Sequence, residues 1–254
     1  LVRIEGMIAE LGPDPGDFVL CSLTDPDTCV DVSLAPRASV FDTDGTPIDP
    51  IDADTFAVEE MVVVIGTYTD SDGDEVPEIA AIVVEKGPAE QVRGIVTEIP
   101  GTDGLFLVID RAGTSITVAL QAGYTKIFGP GGEALTADAL QVGQGIEVEG
   151  VSAGDPAVLR AALIILDSDD NPDQLGGTIA LPISEPEFVL STAAGDIDVC
   201  VNADATITVI SDGSSAEGSF MNILEGLTAY VFGELDMTDG CFYANDVVVV
   251  DAGE

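Results

Sequence analysis

The chain has 254 residues, 46% of them hydrophobic, and sets 47 Asp and Glu against 7 Lys and Arg, for a formal charge of −40. That apolar content can fill one large core or two to three small ones and excludes a disordered acidic tail. A charge of that sign repels phosphates and anionic headgroups and so argues against nucleic acid and membrane surfaces as partners. The acidity itself fits either solubility and salt adaptation or a surface that gathers cations.

In chain order the first segment, VRIEGMIAEL (2–11), alternates as a strand, and DFVLCSLTDPDTCVDVSL (17–34) follows as a hairpin turning at Asp25-Pro26. Its register places Cys21 opposite Cys29, within disulfide reach. A third strand in APRASVFD (35–42), a short helix in DADTFAVEE (52–60), and strands MVVVIG (61–66) and IAAIVVE (79–85) complete the unit. The charge ending IAAIVVE is typical of the chain. No run reaches the roughly 18–20 apolar residues of a spanning helix, so membrane insertion is not expected.

The same order recurs. After KGPAE (86–90) come QVRGIVTEIP (91–100), the hairpin GLFLVIDRAGTSITVAL (104–120), AGYTKIFG (122–129), IEVEG (146–150) and RAALIILD (160–167). Before the fourth strand, ALTADALQVGQG (134–145) predicts a helix capped by Thr136 and stopped by Gly143. After DSDDNPDQ (167–174) come QLGGTIALPI (174–183), EFVLSTAAGDIDVCV (187–201), ADATITVI (203–210), a helix slot in SFMNILEG (219–226), AYVFG (229–233) and ANDVVVVD (244–251). The strand-ending glycines Gly66, Gly150 and Gly233 stand 84 and 83 residues apart. The expected fold is therefore all-β: three tandem small OB-like barrels over 1–86, 87–167 and 168–254, each of about five strands plus one short helix. Short linkers between them predict a semi-rigid rod.

Cys200 and Cys241 remain as a second pair. With no histidine and no clustered cysteine spacing a zinc site is not supported, and two disulfides place the protein in an oxidising, extracellular or cell-surface location. The start at Leu1, already in strand pattern, fits a processed or excised segment.

The absence of histidine also removes Ser-His and Cys-His catalysis, and GPGGE (129–133) lacks the Lys and Ser/Thr of a phosphate loop, so no enzymatic activity is expected. The chain has no tryptophan, and aromatics are only 5% of it, which leaves few stacking platforms for sugars or bases.

The remaining candidates are acidic loops. In TDSDGDEVPE (69–78), Asp70, Asp72 and Asp74 alternate along a turn, with the Val76 carbonyl and Glu78 available to close an oxygen shell for Ca²⁺. Asp167, Asp169 and Asp173 form a shorter version, and Asp42-Thr-Asp44-Gly45 a shorter one still. An EF-hand is excluded by the missing glycine at position six and Glu at position twelve. An Asp-Gly pair is also an ordinary hairpin-turn signal, and that alternative stays open.

Two resemblances follow from these residues. Gly94, Leu140, Gly143, Gly150 and Ala161 in the second copy, with Gly177, Leu224, Gly226 and Gly233 in the third, resemble a family of small OB-like domains of unknown function found in tandem in exported bacterial proteins. This implies a barrel and export and transfers no catalytic residues. The 70–78 string resembles the calcium loops of thrombospondin type 3 repeats over nine residues. Together these readings lead to a non-enzymatic exported structural or interaction protein. It would be a cell-surface or extracellular assembly subunit, such as a filament subunit, that self-associates or binds another surface protein, with structural Ca²⁺ in its loops. The alternative is a secreted OB-like binding module for a small ligand or glycan.

Overall fold

The computed structural model describes residues 1–25, 28–69, 78–167, 173–211 and 214–251. Its regular secondary structure is nearly all strand. In the first barrel β1 (Val2–Leu11), β2 (Phe18–Ser22), β3 (Cys29–Phe41), β4 (Met61–Thr69) and β5 (Glu78–Lys86) close in the order β1-β2-β3-β5-β4. All pairings are antiparallel except the parallel β3–β5 ladder, which is the Greek-key closure of an OB-like barrel.

The second barrel uses β6 (Glu90–Glu98), β7 (Leu105–Ile109), β8 (Ser115–Leu120), β11 (Gly145–Ala153) and β12 (Val158–Leu166), closed by β12 on β8. The short strands β9 (Lys126–Phe128) and β10 (Ala134–Leu135) extend its sheet. In the third, β13 (Gln174–Ser184), β14 (Glu187–Thr192), β15 (Gly195–Ser211), β17 (Thr228–Leu235) and β18 (Cys241–Asp251) close likewise, with β16 (Ser214–Glu217) paired to the end of β15. Three closed five-stranded barrels in tandem are therefore present, and they fit the OB-like class.

The repeated glycines have a steric cause. A Cβ at Gly66, Gly150 or Gly233 would lie 2.3, 2.2 or 2.0 Å from the carbonyl oxygen of Ala80, Arg160 or Tyr243. At Gly66 and Gly233 the ladder register slips by one residue, so the chain coils tightly there. The barrel can close only if these positions carry no side chain.

Each barrel has its own interior. In the first, Ile8, Phe18, Leu20, Val32, Val40, Val62, Val64, Ile79, Ala81 and Val84 pack with Phe56, and the rings of Phe18 and Phe56 lie 5.0 Å apart. In the third, Phe188, Leu190, Val199, Val231, Phe242, Val247 and Val249 pack with Ile223. Full burial of such side chains stabilises by about 1.5–3 kcal/mol each, which sustains a barrel of this size with little to spare.

The expected helices are a correction. Among the described residues only single 3-10 turns occur, at Ala137–Ala139 and Phe220–Asn222, and the first copy has plain turns in that slot. Thr136 makes no side-chain cap bond, whereas Asn222 Oδ1 accepts the Ser219 N–H at 2.9 Å. The slot is too short to repay helix nucleation, and it ends where backbone bonds latch it to the first strand. Those bonds run from Glu59, Gly143 and Gly226 N–H to Ile8, Val96 and Ile179 carbonyls, at 2.8, 2.8 and 2.9 Å. The residue that plugs the barrel end is Phe56, Leu140 or Ile223, each buried. Leu224, singled out by the family pattern, is exposed, and Ile223 takes its place.

Both expected disulfides are present. Cys21–Cys29 joins register partners across β2 and β3, and Cys200–Cys241 ties β15 to the first residue of β18. The chain also divides into two compact units. One comprises Leu1–Gln91, Ala119–Lys126 and Val148–Ile164; the other comprises Val92–Val118, Ile127–Glu147 and Ile165–Glu254. The second barrel contributes strands to both.

Candidate functional site

Of the first acidic loop, Asp70, Asp72, Asp74 and Val76 lie outside the described residues. Glu78 is described. It opens β5, opposite Thr69 of β4 and Asp31 of β3, and the Thr69 hydroxyl donates to Glu78 Oε2 at 3.4 Å. The 42–54 stretch shows turn chemistry. Asp42 Oδ1 accepts the Thr43 N–H, Asp44 Oδ1 accepts the N–H and hydroxyl of Thr46, and Asp52 Oδ1 accepts the Asp54 N–H and Thr55 hydroxyl. Arg160 reaches Asp44 Oδ2 at 3.3 Å, and the Thr46 bonds together with Arg160 hold the Asp44 carboxyl below its ordinary value.

In the second loop Asp169 lies outside the described residues, while Asp167 and Asp173 are brought together in the second unit. The Asp167 N–H donates to Gly145 O at 3.0 Å, and its Oδ2 is buried without a hydrogen-bond partner. Burial first, and then the neighbouring Asp173 carboxyl, push Asp167 up to about 7. Arg93 from β6 lies 3.4 Å from Asp173 Oδ2 and bonds Glu147 Oε2 of β11 through two nitrogens at 2.8 Å. Gln174 Nε2 donates to Ile146 O at 3.0 Å. Beside this group a cavity of about 240 Å³ is lined by Gln141–Gly145, Asp167, Gln174–Gly176, Thr192–Ala194 and Ile197. Ligand pockets usually exceed ~300 Å³, so the cavity is small for an organic ligand. Among the described residues no group of three or more His, Cys, Asp or Glu is arranged to hold a metal ion.

A second acidic pair was not anticipated from sequence. In the first unit Glu85 of β5 is fully buried, and neither of its carboxyl oxygens has a hydrogen-bond partner. Glu149 of β11 is 3% exposed and accepts two bonds on Oε1 from Arg3 of β1, from Nε at 2.9 Å and Nη2 at 2.8 Å. Burial, and next the charge of Glu149, push Glu85 up to about 8, against a smaller opposing pull from Arg3. The sequence did hold a signal for this. MVVVI (61–65) and IAAIVV (79–84) are unbroken apolar runs, which mark strands buried on both faces, so Glu85, directly after the second run, lies against protein on its outer side.

No protein-family model and no curated protein matches the chain. A solved multidomain protein with nucleic acid binding domains from Streptococcus pneumoniae TIGR4 is similar at 10% identity over 95% of this chain and 72% of that one. Its TM-score of 0.18 is too low to carry an argument about fold or function.

Proposed function

We propose that this chain is a non-enzymatic, exported structural or interaction protein, a subunit of a cell-surface or extracellular assembly. The observation that carries this reading is what the three barrels share. The positions that recur are packing positions: close-approach glycines, plug residues and a latch onto the first strand. The polar groups differ from copy to copy. Three barrels built on one scaffold, with no repeated polar site among the described residues, suit a spacer or contact surface better than three copies of a catalyst. Two disulfides fit an oxidising compartment outside the cytoplasm, in line with the tandem exported family that the glycine pattern resembles. Calcium belongs to the same proposal, held by the 70–78 loop and by Asp167, Asp169 and Asp173, where it would offset part of the −40 charge.

Light scattering and electron microscopy of purified protein, with calcium and with chelator, test the assembly. Ordered oligomers in either condition support it, and persistent monomers in both overturn it. A second reading, a binding module for a small ligand or glycan, is favoured by one feature, an open groove of about 480 Å³ on the second barrel between Glu98, Asp103, Leu105, Leu107 and Thr117. Glycan-array binding lost on Thr117→Arg would favour that reading over assembly.

A further inference from the structure

Alternation along β4 and β5 separates two faces. Val62, Val64 and Val84 point into the first barrel's core, so Val63, Ile65, Val83 and Glu85 point outward. These outward residues are buried nonetheless, at 0, 3, 0 and 0% exposure. From the register at the bulges, the position of Glu85 is held by Val248 in the third copy. There it packs in a wholly apolar cluster with Ile95, Ile109, Tyr230 and Phe232. Glu85 therefore puts a carboxyl where the fold otherwise puts a hydrocarbon.

Among the described residues the charged groups facing it are Glu149 from β11 and Arg3 from β1, with Glu5 of β1 behind Arg3 at 3.5 Å. One guanidinium thus serves two buried carboxyls, and both of its short bonds go to Glu149. A second negative charge on Glu85 would sit desolvated, without a donor, beside a like charge. A proton on Glu85 removes that conflict.

We infer that Glu85 is held as a neutral carboxylic acid in the native protein, and that loss of its proton to solvent loosens the Val148–Ile164 segment from β1 and β5. The cluster is then a proton-dependent clasp in the first unit. The sign follows from linkage. An acid that keeps its proton to higher pH in the folded state than in the unfolded one costs stability progressively as pH rises between the two values, here from the ordinary 4.5 to about 8, and nothing further above that.

The test has two arms on the full chain. In ¹³C NMR of labelled Glu carboxyls, one group should titrate near pH 8, and that group should be missing in Glu85→Gln. In hydrogen exchange corrected for intrinsic rates, protection of 81–86 and 146–151 should fall about tenfold or more between about pH 6 and pH 9 in the native chain and hold in Glu85→Gln. No glutamate titrating above about pH 7 in the native chain overturns the inference, whether or not the variant folds. A titrating group with unchanged protection overturns the clasp, and so does equal loss of protection in Glu85→Gln.

Discussion

Glu59 has a backbone φ of 65°, at the position where the other two copies have Gly143 and Gly226, both at φ 86°. All three donate the same latch bond to the first strand, so the loop geometry is fixed and the residue conforms to it. A side chain in the left-handed region costs about 1 kcal/mol that glycine avoids. Glu59→Gly is therefore expected to raise the melting temperature of the first barrel by a few degrees, less whatever flexibility glycine adds to the unfolded chain. An unchanged or lower value in thermal unfolding would show that the Glu59 side chain compensates for its own strain. Asp167 gives a second prediction at this scale. Its carboxyl is pushed up to about 7 from the ordinary 3.8 by burial and then by Asp173, so it destabilises the fold progressively as pH rises from about 4 to 7. Asp167→Asn should flatten that part of the stability–pH curve, leaving the Glu85 contribution in place. A variant curve parallel to the native one across that window would show that Asp167 ionises normally.

The two disulfides staple different elements, and their loops differ in length. Cys21–Cys29 closes a separation of 8 residues within one hairpin, while Cys200–Cys241 closes 41 and holds the parallel β15–β18 contact that completes the third barrel. Loop-closure entropy gives about 2.5 kcal/mol for the first and about 4 kcal/mol for the second. Cys200→Ser/Cys241→Ser should therefore lower stability more than Cys21→Ser/Cys29→Ser in denaturant unfolding. The reverse order would mean that hairpin geometry outweighs chain entropy here. These elements also show what the sequence could carry. The hairpin pairing was readable because a short turn fixes register, so Cys21 had to face Cys29. Closure in OB-like order was readable because glycines recur wherever one strand's backbone crosses close to another. The helix slot misled because apolar residues at helical spacing also arise when one side chain, such as Leu140, plugs a barrel and the rest of the segment only turns. The burial of Glu85 is legible in its apolar run, but its pairing is not, because Arg3 and Glu149 stand 82 and 64 positions away and nothing local to any of the three signals the other two.

Over the whole molecule, charge is the property that the three barrels share without any local arrangement to explain it. Arg3, Lys86, Arg93 and Arg160 each pair with acids, yet 47 carboxylates face only seven basic residues, so repulsion dominates the field. Repulsion among exposed like charges falls with ionic strength, whereas a specific metal site responds to the ion and not to ionic strength. Raising NaCl from about 20 mM to about 1 M shortens the screening length from ~20 Å to ~3 Å and should raise the melting temperature smoothly, without saturating at low concentration. Calcium at a few millimolar, compared with NaCl at matched ionic strength, separates the two origins of the acidity. A further, saturating rise that is lost in the Asp72→Ala/Asp74→Ala variant identifies the 70–78 loop as a bound-calcium clamp. Equal shifts with both salts would leave the acidity as a screening effect, and the loop as a turn in a surface adapted to salt. The acidic surface then bears on assembly directly, because barrels of like charge approach one another only when cations lie between them. Calcium-dependent oligomers should accordingly dissolve on chelation at low salt and persist at high salt if screening is what holds them, and dissolve at both if bound calcium is.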